Sequence, residues 1–303
     1  FIGSVADFLE AWNGPDEGFV RIIRVKKGKE EVVELSYKCL DPSLVTKDVF
    51  EESYSSILMS GTLTPLDMYK DLLGLSDDCM LESFPSPFPE ENRLSLIIPS
   101  VTTKYNKRSE DQFKRIASIC VKVTYSTPGN SLVFFPSYEL LNRVNHYFQY
   151  TCKKTVFLEQ PGMTKQDKSE LLENFKQYKD SGAVLMSVIS GSFGEGIDLP
   201  GDYLKTVVVV GLPLQTPNLE TKALIDYYGQ KFGDGWYYGY VYPAFNKTLQ
   251  SAGRCIRSET DRGVVLFLDE RYLWPNYFKC FPEAARPEVD SDYVGRISSF
   301  FEK

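Results

Sequence analysis

Short continuous apolar runs, rather than alternating ones, recur along most of the chain. They are predicted to be strands and cover residues 56–60, 94–98, 131–135, 155–158, 183–188, 206–211 and 263–269. A continuous apolar run is typical of a parallel strand that is buried on both faces of a sheet. Two further β-rich runs, Phe19–Val25 and Glu31–Tyr37, are separated by Lys-Gly-Lys and predict a β-hairpin.

Helical periodicity fills the gaps between these runs. The predicted helices cover residues 65–73, 110–125, 137–150, 164–180, 218–232 and 244–258. Thr64 and Ser137 are predicted N-caps, and Gly74 is a predicted C-cap. The alternation predicts an α/β fold with a doubly wound, mainly parallel sheet flanked by helices. Ligands of such folds bind at the carboxyl ends of the strands, so those loops are the places to look for function.

The composition narrows the class of protein. Of the 303 residues, 43% are hydrophobic and 25% are charged, which is ordinary for a soluble globular protein. No apolar run is long enough to span a bilayer, so no membrane partner is expected. The six cysteines have no C-x-x-C spacing and are interpreted as reduced intracellular thiols, with no metal site. His146 is the only histidine, which argues against His-rich zinc sites and a Ser/His/Asp triad. Because the first residue is Phe1, the chain is expected to be a piece of a longer protein.

The net charge of −7 weighs against tight, nonspecific binding to duplex nucleic acid. It leaves open a local basic groove on an acidic body. Two basic segments, residues 21–29 and 104–109, stand out along the chain. Each is interpreted, taken alone, as a solvated face.

The sequence LQSAGRCIRSE (249–259) carries the first candidate chemistry. Gln250, Arg254 and Arg257 are spaced by four and three residues, which places them on one face of the predicted helix. Gly253 would remove a side chain beside Arg254 and let a ligand or another backbone approach. The N–H groups of an arginine guanidinium can form paired hydrogen bonds with phosphate oxygens. Its positive charge can neutralise the negative charge that develops in phosphoryl transfer. The alternative is a pair of surface arginines bound to nearby carboxylates.

A glycine-rich loop, residues 187–201, follows a predicted strand directly. Such a loop can point several backbone N–H groups at one anion, although a tight turn explains the glycines equally well. It is neither a P-loop nor a dinucleotide-binding G-x-G-x-x-G sequence, and the chain contains no P-loop. Asp269-Glu270, after the last predicted strand, imitates a Walker B box, but Asp269 is interpreted as a strand-end residue.

The order of the motifs SGTLTPLDMY, LVFFPSY, LMSVISGSFGEGIDLPG and QSAGRCIRSETDRGVVLFLDER resembles the second motor domain of the XPD-type DNA helicases, a superfamily 2 group that includes DinG. The resemblance covers residues 39–272. It implies a RecA-like domain without its own P-loop over residues 41–303, ending in a helical tail. Residues 1–40 resemble the segment that returns from the family's arch insertion.

The resemblance also implies roles for particular residues. Arg257 and Arg254 would be arginine fingers that reach the γ-phosphate, and Gln250 would orient the attacking water or the phosphate. The positions grouped with nucleotide binding and its coupling to DNA are Gly194, Glu195, Gly196, Asp198 and Gly253. The positions at the DNA or at the domain interface are Ser60, Gly61, Thr62, Phe135, Pro136, Ser137, Tyr138 and Ser190.

The family pattern places ATP and Mg²⁺ mainly on a first motor domain, which also holds an iron–sulfur cluster and is missing here. The implied activity is ATP-dependent, five-prime to three-prime unwinding in DNA repair, with the isolated chain inactive. The implied partners are single-stranded DNA, the first motor, arch and iron–sulfur domains, and repair proteins. The implied location is the cytoplasm and nucleoid, or the nucleus in a eukaryote. The alternative is a non-catalytic RecA-like module that binds other proteins.

Overall fold

The structure is a computed structural model, and it describes residues 2–28, 31–191, 193–194, 199–214 and 216–302. The helices are α1 (Ile2–Trp12), α2 (Ser43–Glu52), α3 (Leu66–Leu73), α4 (Glu110–Ser126), α5 (Tyr138–Thr151), α6 (Lys165–Lys176), α7 (Leu219–Phe232), α8 (Tyr242–Ala252), α9 (Pro275–Phe278) and α10 (Tyr293–Glu302). The strands are β1 (Phe19–Lys26), β2 (Val32–Cys39), β3 (Arg93–Ile97), β4 (Ser131–Phe135), β5 (Thr155–Leu158), β6 (Ala183–Val188), β7 (Thr206–Val210), β8 (Gly263–Leu268) and β9 (Glu288–Val289). None of the described helices is long and apolar enough to cross a membrane.

The chain divides into two compact units. The first unit combines Phe1–Ser83 with Gln215–Pro243, and the second combines Phe84–Leu214 with Ala244–Lys303. The second unit is therefore built from two stretches of sequence. The predicted arch-return segment, residues 1–40, falls wholly within the first unit, and its assignment as a separate segment stays a prediction.

The second unit is organised around one sheet. Its described residues form seven strands in the order β5-β6-β4-β7-β8-β3-β9, and every pairing is parallel. Apart from the short edge strand β9, which the sequence did not reveal, the strands lie where continuous apolar runs predict them. The α/β prediction of a mainly parallel sheet is confirmed.

Helices cover both faces of this sheet. Alternate strand residues such as Val133 and Phe135 pack with α4, α5 and α10 in one large apolar cluster. The residues between them point to the opposite face, where Phe267 makes edge-on ring contacts with Tyr272 and Phe281. Strands β4, β6, β7 and β8 are buried along their whole lengths, which explains why their sequences do not alternate. The amphipathic tail forms α10, with Ile297 fully buried.

The first unit contains the predicted hairpin. Strands β1 and β2 pair in antiparallel register from Phe19 opposite Cys39 to Lys26 opposite Val32. Part of the predicted Lys-Gly-Lys turn lies outside the described residues. The short helix α3 ends at Gly74, which has the left-handed conformation (φ 64°) that the sequence predicted for its cap.

Two local predictions for the first unit are wrong, and two of its helices were not predicted. Residues 56–60 do not form a strand, and Ile57 and Met59 are 83% and 82% exposed, because no other described strand lies beside them. Helix α3 begins one residue later than predicted, so Pro65 rather than Thr64 occupies the N-cap position. Helices α1 and α2 were not predicted at all.

Asp41 is the main buried charge of the first unit, and it gives a testable pH dependence. Burial raises the pKa of Asp41, but hydrogen bonds from Lys231, Ser43 and Tyr227 outweigh burial and hold the pKa below its usual range. The folded form therefore gains stability from Asp41 above the unfolded pKa of about 3.9, and loses that gain as pH falls further.

Asp41→Asn is accordingly expected to lower the free energy of unfolding by about 1–3 kcal/mol at pH 7, and by much less at pH 3. Urea unfolding followed by tryptophan fluorescence at the two pH values measures the difference. Asp48→Asn, an exposed aspartate on α2, is the matched control and should change neither value. A deficit for Asp41→Asn of equal size at both pH values would contradict the ion-pair explanation.

Candidate functional site

The carboxyl ends of the parallel strands in the second unit bring the candidate loops to one edge of the sheet. Ser137 follows β4, Ser190 and Gly194 follow β6, and Asp269 follows β8. Because the strands are parallel and adjacent, these residues share the edge at which ligands of such folds bind. The sequence points to the same loops, and their role in binding stays a prediction.

Arg254 connects two of the candidate motifs directly. Its side chain is only 8% exposed, and its Nη2 donates a hydrogen bond of 2.5 Å to the backbone carbonyl of Gly194. The segment after α8 is thereby joined to the glycine-rich loop after β6. A guanidinium at this depth requires good partners, since burying a charge without them costs several kcal/mol.

The observed helix in this region is shorter than the predicted helix, which covered residues 244–258. Helix α8 ends at Ala252, so Gln250 lies in its last turn, while Gly253 and both arginines follow it. The predicted single helical face for the three polar side chains is therefore wrong. Gly253 is exposed, and a β-carbon there would meet nothing closer than the Leu249 carbonyl at 3.4 Å, so the predicted close approach at Gly253 is not found among the described residues.

Asp261 stabilises a non-helical backbone at Arg257 and Ser258, after the end of α8. Its buried carboxylate accepts hydrogen bonds from the backbone N–H groups of Arg257 (2.7 Å) and Ser258 (2.9 Å), and from the Ser258 hydroxyl (2.8 Å). In a continuing helix those N–H groups would donate to the preceding turn. Asp261 instead fixes the backbone at Arg257, whose side chain is exposed.

The glycine-rich loop is tightly packed over its described part. A β-carbon on Gly194 would lie 2.0 Å from the Ile189 carbonyl, so only glycine fits there. Gly191 and Gly194 donate their N–H groups inside the loop, to Val188 and Gly191 respectively. These two groups are therefore not turned outward. The predicted Glu195, Gly196 and Asp198, with Ser192, lie outside the described residues.

Ser137 and Tyr138 begin helix α5. The Ser137 hydroxyl accepts the N–H of Leu140, which confirms the predicted N-cap. Tyr138 is half-buried and lies near Glu159, which is almost completely buried beneath the glycine-rich loop. Burial and the Glu159 carboxylate raise the pKa of Tyr138. Phe135 is fully buried in β4, and Pro136 is partly exposed beside it.

A basic and aromatic segment, residues 104–108, lies at the same edge. Thr103 donates its N–H to Asp269, which places the start of the segment beside the end of β8. Tyr105 is 83% exposed, and the Arg108 guanidinium lies 5.5 Å from its ring centroid. Arg108 also reaches Glu139, in the first turn of α5, at 3.8 Å. The segment is therefore a neighbour of the α5 N-terminus.

Asp269 is a structural residue, as its sequence position indicated. Its fully buried carboxylate accepts hydrogen bonds from the N–H and hydroxyl of Thr103 (2.7 and 2.9 Å) and from the Arg271 guanidinium (2.8 and 2.9 Å). These contacts bind the end of β8 to the segment after β3. No group of three His, Cys, Asp or Glu side chains that could hold a metal ion occurs among the described residues.

Ser60, Gly61 and Thr62 belong to the other unit. Ser60 and Gly61 are exposed, and the Thr62 N–H donates to the Ser60 hydroxyl at 3.2 Å in a tight turn. The remaining predicted site residues belong to the second unit.

The sequence did not predict Glu159, Tyr105 or Asp261 as functional residues. Glu159 directly follows β5, so the rule that drew attention to Asp269 would also have found it. Tyr105 and its basic neighbours were noticed but were interpreted as a solvated face. Asp261 carries no sequence signal, because its role depends on where α8 ends.

Residues 120–288, more than half of the chain, match the family model described as the helicase C-terminal domain. The chain belongs to this family, in its XPD-type branch.

Curated relatives agree with this assignment. The Saccharomyces cerevisiae "General transcription and DNA repair factor IIH helicase subunit XPD/RAD3" is 28% identical over 288 residues, covering 88% of this chain and 37% of the relative. The Arabidopsis thaliana "General transcription and DNA repair factor IIH helicase subunit XPD" is 29% identical over 297 residues, covering 89% and 38%. The chain thus spans less than two fifths of the length of these relatives.

A solved structure named XPD_APO superimposes with a TM-score of 0.67 at 24% identity, covering 95% of this chain and 57% of that one. At this level of identity the likeness concerns the fold, and it confirms the predicted RecA-like architecture.

Proposed function

We propose that this chain is the C-terminal motor portion of an ATP-dependent DNA helicase of the repair type, which moves five-prime to three-prime along single-stranded DNA. The observation that carries the proposal is the bond between Arg254 and the Gly194 carbonyl. It joins the arginine motif to the glycine-rich loop at the ligand-binding edge of the sheet. The longer protein would act in the nucleus of a eukaryote, or in the cytoplasm and nucleoid of a prokaryote.

The two arginines are proposed to act differently. Arg257 has an exposed side chain on a backbone fixed by Asp261, and its guanidinium is proposed to reach a phosphate presented by another domain. Arg254 is buried against the loop and is suited to holding that loop in place. Gln250 lies exposed in the last turn of α8, within the same short stretch of chain, and is proposed to orient the phosphate or a water molecule.

The arginines of this chain are suited to contact one side of the phosphate groups of a nucleoside triphosphate. Guanidinium groups match phosphate oxygens, but the sequence contains no P-loop to cradle the phosphates. We therefore assign most of the ATP and Mg²⁺ contacts, and the iron–sulfur cluster of the family pattern, to other domains of the longer protein. Hydrolysis of ATP would supply the free energy for movement, and Arg257 would stabilise negative charge on the phosphate.

Exposed apolar side chains of the first unit support such a domain partner. Helix α2 buries none of its residues, all of which are described, and Val45 and Val49 are exposed. Ile57 and Met59 extend this apolar character into residues 56–60. Large exposed apolar patches mark interaction sites, so the first motor domain is the proposed occupant and the arch and iron–sulfur domains are its proposed neighbours. Contacts with repair proteins are proposed for the longer protein.

Single-stranded DNA is proposed to cross the edge near α5. The N-terminus of α5 is a favourable place for a phosphate, and Lys104, Lys107 and Arg108 add positive charge beside it. The exposed ring of Tyr105 can stack on a base. The combination of a basic groove and aromatic side chains is typical of proteins that bind single strands without sequence preference.

Tyr105→Ala is expected to weaken binding of a fluorescent single-stranded oligonucleotide to this chain by about 5- to 100-fold, because one stacked base contributes about 1–3 kcal/mol. Fluorescence anisotropy across a salt series measures the change. The salt slope should hardly move, since Tyr105 carries no charge, whereas Arg108→Ala should reduce the slope by about 0.7.

The matched control is Tyr150→Ala. Tyr150 is an exposed tyrosine near the C-terminal end of α5, remote from the proposed edge. Equal effects of the two tyrosine variants would contradict this DNA path. If the folded chain binds no single-stranded DNA at low salt, the proposal that this chain binds DNA by itself is refuted. A module that binds other proteins is then the better interpretation of the chain alone.

A further inference from the structure

Glu159 is a buried carboxylate with no role in the function proposed above. It directly follows β5 and is 1% exposed. Its Oε2 accepts the Ser187 hydroxyl at 2.6 Å and the Val188 N–H at 3.1 Å, both at the end of β6. A buried carboxylate is costly unless its oxygens are hydrogen-bonded, so these partners must be held in place.

Two further contacts extend this arrangement beyond β6. The backbone of Gly191 lies so close that a β-carbon there would come within 2.5 Å of Glu159 Oε2 and 2.6 Å of Oε1. The first half of the glycine-rich loop therefore rests directly on the carboxylate. Tyr138, the first residue of α5, lies close enough to the same carboxylate for Glu159 to raise the pKa of its hydroxyl.

The loop continues from Gly191 to Gly194, where Arg254 holds the carbonyl oxygen. Phe193, between them, is buried. The loop is thus fixed at two described points: by Glu159 at Gly191 and by Arg254 at Gly194. The described contacts therefore place Tyr138 beside Glu159, Glu159 against the loop at Gly191, and Arg254 against the loop at Gly194.

We propose that Glu159 is a positioning residue that ties Tyr138 to the glycine-rich loop, so that a displacement at one is transmitted to the other. This inference rests on the proposed function, in which Tyr138 lies on the DNA side and Arg254 on the nucleotide side. Glu159 itself touches neither ligand.

Packing alone does not account for a glutamate at this position. An apolar side chain at the end of β5 would extend the buried run TVFL without the cost of burying a charge. It would leave the Val188 N–H and the Ser187 hydroxyl without this acceptor. The carboxylate has enough lone pairs to accept from both of them at once.

The test uses three variants: Glu159→Gln, Tyr138→Phe and the double variant. Glu159→Gln keeps the shape but replaces one acceptor oxygen with an NH₂ group. Hydrogen–deuterium exchange of the peptide that covers residues 187–194 reports how firmly the loop is held, independently of any activity. Each single variant is expected to speed exchange there by about tenfold, and the double variant by no more than either single one, because all three break the same connection.

The second measurement is DNA-stimulated ATP hydrolysis by the longer protein. The DNA concentration that half-saturates the rate is expected to rise about tenfold in each single variant and no further in the double variant. If Glu159 and Tyr138 acted independently of each other, the two losses would multiply to about a hundredfold. Multiplying losses in both measurements would overturn the proposal.

The two proposals can fail separately. If the wild-type protein shows no DNA-stimulated hydrolysis, the proposed function fails, and exchange alone decides the role of Glu159. If hydrolysis is normal but Glu159→Gln leaves loop exchange unchanged, the role of Glu159 fails. Glu173→Gln, an exposed glutamate on α6, is the matched control. Should Glu159→Gln not fold, Ser187→Ala removes one donor to the carboxylate and must show the same non-additivity with Tyr138→Phe.

Discussion

Arg257→Ala is expected to lower the DNA-stimulated rate of ATP hydrolysis by the longer protein about a thousandfold or more, with little change in stability. An arginine that reaches a transferring phosphoryl group contributes about this much to the rate. The side chain of Arg257 is exposed, so its removal leaves no cavity in the described structure. A coupled assay for ADP at saturating DNA measures the rate, and thermal unfolding checks the fold.

Two other arginine variants sharpen this test. Arg115→Ala removes an exposed arginine from α4 and should leave the rate unchanged. Arg254→Ala should also lower the rate, but it should speed hydrogen exchange around Gly194 as well, because it removes the bond that holds that carbonyl. A normal rate for Arg257→Ala would refute the proposed arginine finger, whatever Arg254→Ala does.

Asp269→Ala is expected to lower the free energy of unfolding by about 3–5 kcal/mol. The substitution leaves the buried guanidinium of Arg271 and the buried N–H of Thr103 without their carboxylate partner. Removing one member of a buried ion pair has this cost because the other charge stays buried. Urea unfolding followed by circular dichroism measures the loss.

A second substitution tests the explanation. Adding Arg271→Met to Asp269→Ala removes the stranded charge and should recover a substantial part of the lost stability. Asp180→Ala, an exposed aspartate after α6, is the control and should lie within about 0.5 kcal/mol of the wild type. If the double variant is less stable than Asp269→Ala, the uncompensated charge is not the main source of the loss.

The sheet of the second unit could be predicted because each of its main strands has a recognisable local sequence pattern. Runs such as TVVVV and SLVFF are buried on both faces, and burial on both faces is what makes a run continuously apolar. Residues 56–60 have the same local signature but form no strand. A strand requires a neighbour to accept its hydrogen bonds, and the sequence of a run does not say whether that neighbour is present.

The candidate loops could be chosen from the sequence, but their geometry could not. The rule that ligands bind at strand carboxyl ends selects these loops. Periodicity, however, extended α8 through Arg257, because it cannot register that the Asp261 carboxylate captures the backbone N–H of Arg257. The difference between buried Arg254 and exposed Arg257 follows from that capture and could not be read from the spacing of the arginines.

The position of β3 in the sheet bears on how the protein is made. Its neighbours are β8 and β9, and Leu96 pairs with Leu266 and Glu288. At a synthesis rate of about 5–20 residues per second, the partners of β3 leave the ribosome on the order of ten seconds after β3 itself. During that interval the backbone of β3 has neither of these strands to pair with, and α10, which packs against β3, has not yet emerged. The nascent chain is therefore a natural client for chaperones that shield apolar segments, until the last third of the sequence has emerged and the sheet can close around β3.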